Sequence, residues 1–127
     1  MVTQERFCDI LDELANELPE AFYEKLNGGI CVMTRVKFHS VARNLCVMGE
    51  YERHPALGRR ILIYYGSFLR VFGGAPEEIY RPEMRKVLLH EFRHHMESRA
   101  GDRDLEIEDE RQLSEYLSGV SDGGDEP

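Results

Sequence analysis

Six consecutive residues, His90-Glu91-Phe92-Arg93-His94-His95, hold the densest chemistry in this chain of 127 residues. On a helix, side chains four apart stand one above the other, so the imidazoles of His90 and His94 are spaced to grip one metal ion. Glu91, between them, is within reach of a water attached to that ion. Neutral imidazoles suit zinc, and a catalytic zinc takes three protein ligands and leaves a fourth position for water. The ion lowers the pKa of that water to about 7 and polarises a carbonyl, while a neighbouring carboxylate accepts the proton as general base. These are the working parts of a metal-dependent hydrolase, with His90 and His94 as ligands and Glu91 as base.

Chemistry of this kind needs a rigid support, and the spacing predicts a helix from Pro82 to about Ala100, with Pro82 in its first turn and Gly101 as its stop. At about 100° per residue, Met84, Val87, Leu88, Glu91 and His95 share one broad face. His94 and then His90 lie along its edge, and Lys86, Arg93 and Glu97 gather on the opposite, wet side. Glu91 and His95 are thus placed among apolar neighbours, where an unpaired charge or an unbonded imidazole is costly. A metal beside Glu91 supplies the reason. His95, about 100° around the helix from His94, reads as a packed, hydrogen-bonded core histidine. Glu97 reads as a surface charge.

The third ligand must come from elsewhere. Gly101 lets the chain fold back, which brings Asp102 or Asp104 to the open side of the metal, with Glu106 more remote.

His90-Glu91-Phe92-Arg93-His94-His95 followed by Asp102-Arg103-Asp104-Leu105 resembles the minimal zincin-like metallopeptidase family of small bacterial proteins. That family's pattern is His-Glu-x-x-His-His, then glycine, then a ligand aspartate shortly before a leucine. The surrounding order is similar as well: an acidic N-terminal helix ending in Leu18-Pro19-Glu20, a strand, a loop containing Tyr51-Glu52, a second strand, then the motif helix. The resemblance covers roughly residues 5 to 118, and its diagnostic part is the motif helix with its neighbours. It implies zinc as cofactor and peptidase-like chemistry on a peptide or protein substrate. Registering on Leu105 carries the third-ligand role to Asp102. This chain departs from the pattern by having Glu97 where the family has glycine and by taking about two more residues to reach its aspartate; if the longer helix shifts the turn, Asp104 takes the role.

The rest of the chain reads as a small α+β, zincin-like domain. Thr3 is a plausible cap for a helix carrying Phe7, Ile10, Leu11, Leu14 and Leu18, and Pro19 begins a second short helical piece with Phe22 and Leu26, stopped at Asn27-Gly28-Gly29. Ile30 to Phe38 predicts one strand and Ile61 to Gly66 another. Residues 40–48 read as a short helix or an irregular crossing, and 49–58 as a polar loop. Ser67 is placed to cap a helix ended by Gly73-Gly74, and Leu105, Ile107, Leu113, Tyr116 and Leu117 suggest a last amphipathic helix. One domain over residues 1–118 and a disordered acidic tail over 119–127 follow. Among the strand tyrosines and Tyr51, one phenol is a candidate oxyanion donor. Ile61 to Tyr65 is a candidate edge for holding an extended peptide by strand addition. His39 and His54 read as loop residues.

A net charge of −8 argues against nucleic acid or an anionic membrane surface as partner. Cys8, Cys31 and Cys46, odd in number and without a Cys-x-x-Cys pair, indicate reduced thiols, and with no signal-peptide order or membrane span the expectation is a soluble cytoplasmic protein. The favoured function is zinc-dependent peptide hydrolysis. Its rival is a zinc-binding regulatory or partner-binding protein without turnover.

Overall fold

The computed structural model describes residues 1–101. Helix α1 (Gln4–Asn16) begins where the Thr3 hydroxyl oxygen accepts the backbone N–H of Arg6 at 3.1 Å, the cap the sequence indicates. Phe7, Ile10, Leu11 and Leu14 form its buried stripe. Past Pro19, a single 3-10 turn (Glu20–Tyr23) buries Phe22. Replacing Thr3 with alanine leaves an N-terminal amide without its cap and is expected to cost about 1 kcal/mol, read as a lowered urea midpoint at unchanged slope.

Five strands follow in the described residues: β1 (Gly29–Met33), β2 (Lys37–Phe38), β3 (Cys46–Val47), β4 (Gly49–His54) and β5 (Gly58–Tyr64). The single strand expected over 30–38 is therefore two. β1 lies parallel to β5, whereas β2 pairs with β3 in a separate antiparallel ribbon. The break falls where the helix after β5, α2 (Tyr65–Phe72), crosses it: a Cβ on Gly66 would stand only 2.6 Å from the Thr34 carbonyl oxygen. Ser67 does not cap α2. It is buried inside that helix and accepts the Lys37 N–H at 3.1 Å, fastening the ribbon to α2.

The polar loop expected over 49–58 is largely strand. β4 forms a hairpin with β5, giving a sheet of order β1-β5-β4. Its turn is closed by His54 Nδ1, which accepts from the N–H groups of Ala56 and Leu57, both at 3.0 Å, and by Gly58 at a left-handed φ of 82°. The two acidic charges that help disguise β4 lie on one face and are paired, Glu52 with Arg60 and Glu50 with Lys37. The other face carries Gly49 and Tyr51, with exposed Arg53 toward the hairpin turn.

Ile30, Val32, Ile61 and Ile63 line the inner face of the sheet against a core built with Phe7, Phe22, Phe68, Tyr80, Met84, Leu88, Phe92 and Met96. The last five belong to α3 (Glu77–Ala100), 24 residues long. It starts five residues before the expected Pro82, with Pro76 at its N-cap, and Pro82 sits inside it. Only the bond to the Glu78 carbonyl is forgone there, near the helix start. Gly101 is the C-cap.

The start of α3 is tied to α1 through Glu77, which accepts from Arg6 Nε at 2.9 Å, Arg6 Nη2 at 2.6 Å and Arg81 Nη2 at 2.8 Å. The hydrogen bonds from Arg6, then the one from Arg81, lower its pKa from 4.5 to about 2. The folded value lies below the unfolded one, so this contribution is present above pH 4.5 and is lost as pH falls from there toward 2. The Glu77→Gln variant is expected to show a flatter loss of stability across that window in acid titrations followed by circular dichroism. The step is modest and shrinks in salt, since the pair is partly solvent-exposed.

Candidate metal centre

The motif lies in the second half of α3, whose inward line runs through Met84, Leu88, Glu91 and His95, all buried. The placement of Glu91 and His95 on the apolar face follows the helical projection. His90 and His94 are half-buried on the flank, while Arg93 and Glu97 stand outside and pair with each other at 3.5 Å.

His95 is fully enclosed. Its Nε2 lies 2.8 Å from the Glu24 carbonyl oxygen and its Nδ1 2.8 Å from the Tyr51 hydroxyl. A neutral ring with its proton on Nε2 satisfies both, donating to Glu24 and accepting from Tyr51. Burial drives its pKa down to about 4, which keeps it neutral. His95 is thus a core residue spoken for on both nitrogens.

His90 and His94 are arranged differently. Their Nε2 atoms face each other at 3.2 Å, with the rings nearly perpendicular. Two nitrogens bound at about 2.05 Å on a tetrahedral ion stand roughly 3.3 Å apart, so the pair already has the spacing that zinc requires. The Glu97 carboxylate reaches His94 Nδ1 at 3.4 Å. A proton on that nitrogen leaves the Nε2 lone pair for a cation. Glu97, read from the sequence as a surface charge only, therefore also touches His94, a candidate ligand.

Glu91 is 5 % exposed and has no hydrogen-bond partner among the described residues. Burial, and then the Glu50 carboxylate, raise its pKa to about 8. A carboxyl group left so costly to ionise beside two converging imidazoles fits a cation at the pair, whose charge would favour the carboxylate. The donor set of two nitrogens and nearby oxygen suits zinc.

Sequence reasoning missed the residue that brings the helix this close to the sheet. Gly49 opens β4, and a Cβ there would stand 2.7 Å from Val87 Cγ1 and 3.3 Å from Glu91 Cγ. The available signal was a glycine two residues before Tyr51 in a segment that read as a loop.

Asp102 and Asp104, the two candidates for the third ligand, lie outside the described residues, as do Glu106, the last predicted helix and the tail. No group of three metal-binding side chains occurs among the described residues. The phenols have other duties: Tyr51 bonds His95, Tyr64 donates to Glu50 at 2.7 Å, and Tyr65 donates to the Val2 carbonyl at 2.8 Å. Burial and the bond to Glu50 push the Tyr64 hydroxyl up to about 12. The expected peptide-holding edge is also displaced. β5 is the central strand, hydrogen-bonded on both sides, and the strand beside the motif helix at the sheet's edge is β4.

A family model described as a zincin-like metallopeptidase matches residues 38–113. Among solved structures, a conserved hypothetical protein from Thermus thermophilus is similar at 36 % identity and a TM-score of 0.71, covering 79 % of this chain and 99 % of that one. No curated protein matches. No helix among the described residues is long and apolar enough to cross a membrane.

Proposed function

The chain belongs to the zincin-like metallopeptidase family, and from that membership we propose that it is a zinc-dependent peptidase acting on an extended peptide or protein segment in the cytoplasm. The observation that carries the reading is the facing Nε2 pair of His90 and His94, 3.2 Å apart, with the buried carboxyl of Glu91 beside it. His90 and His94 would hold the ion, with Asp102 or Asp104 as third ligand. Bound zinc would supply Lewis acidity, making water acidic and a carbonyl electrophilic.

The remaining work falls to the chain's own side chains. Glu91 takes the proton of the attacking water on its carboxylate and passes it to the departing amine nitrogen, so one group acts first as base and then as acid. Glu97 holds His94 in the tautomer that presents Nε2. β4, at the sheet's edge and against α3, offers backbone N–H and C=O groups to an extended substrate, aligning a scissile peptide past the histidines. The free cysteines accord with a reducing compartment.

The test is elemental analysis of untagged protein together with a broad peptide library analysed by mass spectrometry. About one zinc per chain and defined cleavage products are expected, with both zinc and cleavage lost on chelation. Zinc without cleavage would leave a non-catalytic zinc-binding protein. No zinc, and no rise in melting temperature on adding it, would remove the site.

A further inference from the structure

β4 and α3 touch at two points that repeat in step. Gly49 meets Val87 and Glu91; Tyr51, two residues on, meets His95, four residues on. Two strand residues advance about 6.7 Å and four helix residues about 6 Å, so the repeats are nearly commensurate and the elements can be locked in one register. The contacts differ in kind. At Gly49 the limit is steric, since a Cβ would also stand 3.2 Å from the Leu62 carbonyl oxygen, and the backbone there has no left-handed φ that would itself call for glycine. At Tyr51 the contact is a 2.8 Å hydrogen bond that the imidazole of His95 accepts, and it fixes the helix in rotation.

We propose that Gly49 and Tyr51 are positioning residues that set the depth and rotation of α3 against β4, and thereby fix where the Nε2 atoms of His90 and His94 stand relative to the sheet. Each ligand precedes a clamped residue by one position, about 100° around the helix: His90 before Glu91, and His94 before His95. With Glu91 and His95 held against the strand, both ligands are carried to the same flank. A helix displaced or turned at either point moves both. The consequence for metal binding rests on the zinc reading; the clamp itself does not.

The test therefore has a metal-independent arm. Long-range proton–nitrogen spectra of the zinc-free full chain report the side-chain nitrogens of His90 and His94. In Gly49→Ala these resonances are expected to move, and in Gly49→Ala/Val87→Ala, where the nearest obstructing methyl is gone, to return most of the way to those of Val87→Ala alone. Tyr51→Phe is expected to shift the same two ligand resonances as well as that of His95. The second arm is zinc competition against a chromogenic chelator: Gly49→Ala is expected to bind at least tenfold more weakly than wild type, and the double variant within about threefold of Val87→Ala. If Gly49→Ala does not fold, the comparison of the double variant with Val87→Ala decides. Unmoved ligand resonances in Gly49→Ala, or a folded double variant whose ligand resonances remain displaced from those of Val87→Ala, would overturn the clamp. Absence of zinc binding by the wild type would sink the metal reading while the spectra still judged the clamp.

Discussion

The Glu91→Gln variant is expected to retain about one zinc per chain while its peptide hydrolysis falls about 100- to 10,000-fold, the range that general acid–base catalysis supplies. The amide has the size of the acid and can still lie under Gly49, but it cannot take a proton from water or return one to an amine. The loss should sit in kcat more than in KM, because the group acts in the chemical step. A second, independent signature is thermodynamic. In the zinc-free protein Glu91 holds its proton up to about pH 8, whereas the unfolded chain releases it above 4.5. The folded pKa is the higher one, so this group favours the fold below pH 4.5, and that contribution is lost as pH rises through 8. Glutamine does not titrate. The zinc-free variant should therefore lose less stability than zinc-free wild type between those limits, as denaturant midpoints on a pH series will show. Hydrolysis by Glu91→Gln at the wild-type rate would refute the role of base.

The largest expected effect on stability comes from His95→Leu. Leucine fills much of the space beside Tyr51 and Phe92 but strips the Tyr51 hydroxyl and the Glu24 carbonyl of their imidazole partner. Tyr51 is half-buried and Glu24 exposed, so each lost bond costs about 0.5–1.5 kcal/mol, for a combined loss of roughly 1–3 kcal/mol. In a protein of marginal stability this should lower the melting temperature by on the order of ten degrees. His95→Gln retains donor and acceptor capacity and should recover part of the loss. A leucine variant as stable as wild type would show that the two bonds carry no net weight. The adjacent His94→Ala should behave oppositely, with little change in the zinc-free fold and loss of zinc, since its ring is half-exposed.

The motif was legible because its logic is local. The four-residue spacing of His90 and His94, the apolar companions of Glu91 and the rotation that sends His95 to the core follow from helical geometry, and the fold places them so. The cap at Thr3 and the stop at Gly73 were legible for the same reason: each depends on a few consecutive residues. The start of α3 was misread because Pro82 is tolerated inside a helix whose first turn is held from outside by Arg6, a partner 71 positions away.

What the chain determined by itself was therefore the chemistry of the site: which imidazoles face one another along a helix and which carboxyl lies between them. The tertiary structure decided where that chemistry is presented. β4 hid in the sequence because one face is acidic and the other carries only a glycine, a tyrosine and an exposed arginine, so its strand character depends on pairing with β5 and on ion pairs to Lys37 and Arg60. That Gly49 admits the motif helix, that Tyr51 serves His95 and that β4 rather than β5 forms the edge are contacts between residues distant along the chain. Periodicity cannot encode them, because they exist only once the sheet has closed and its strand order is set.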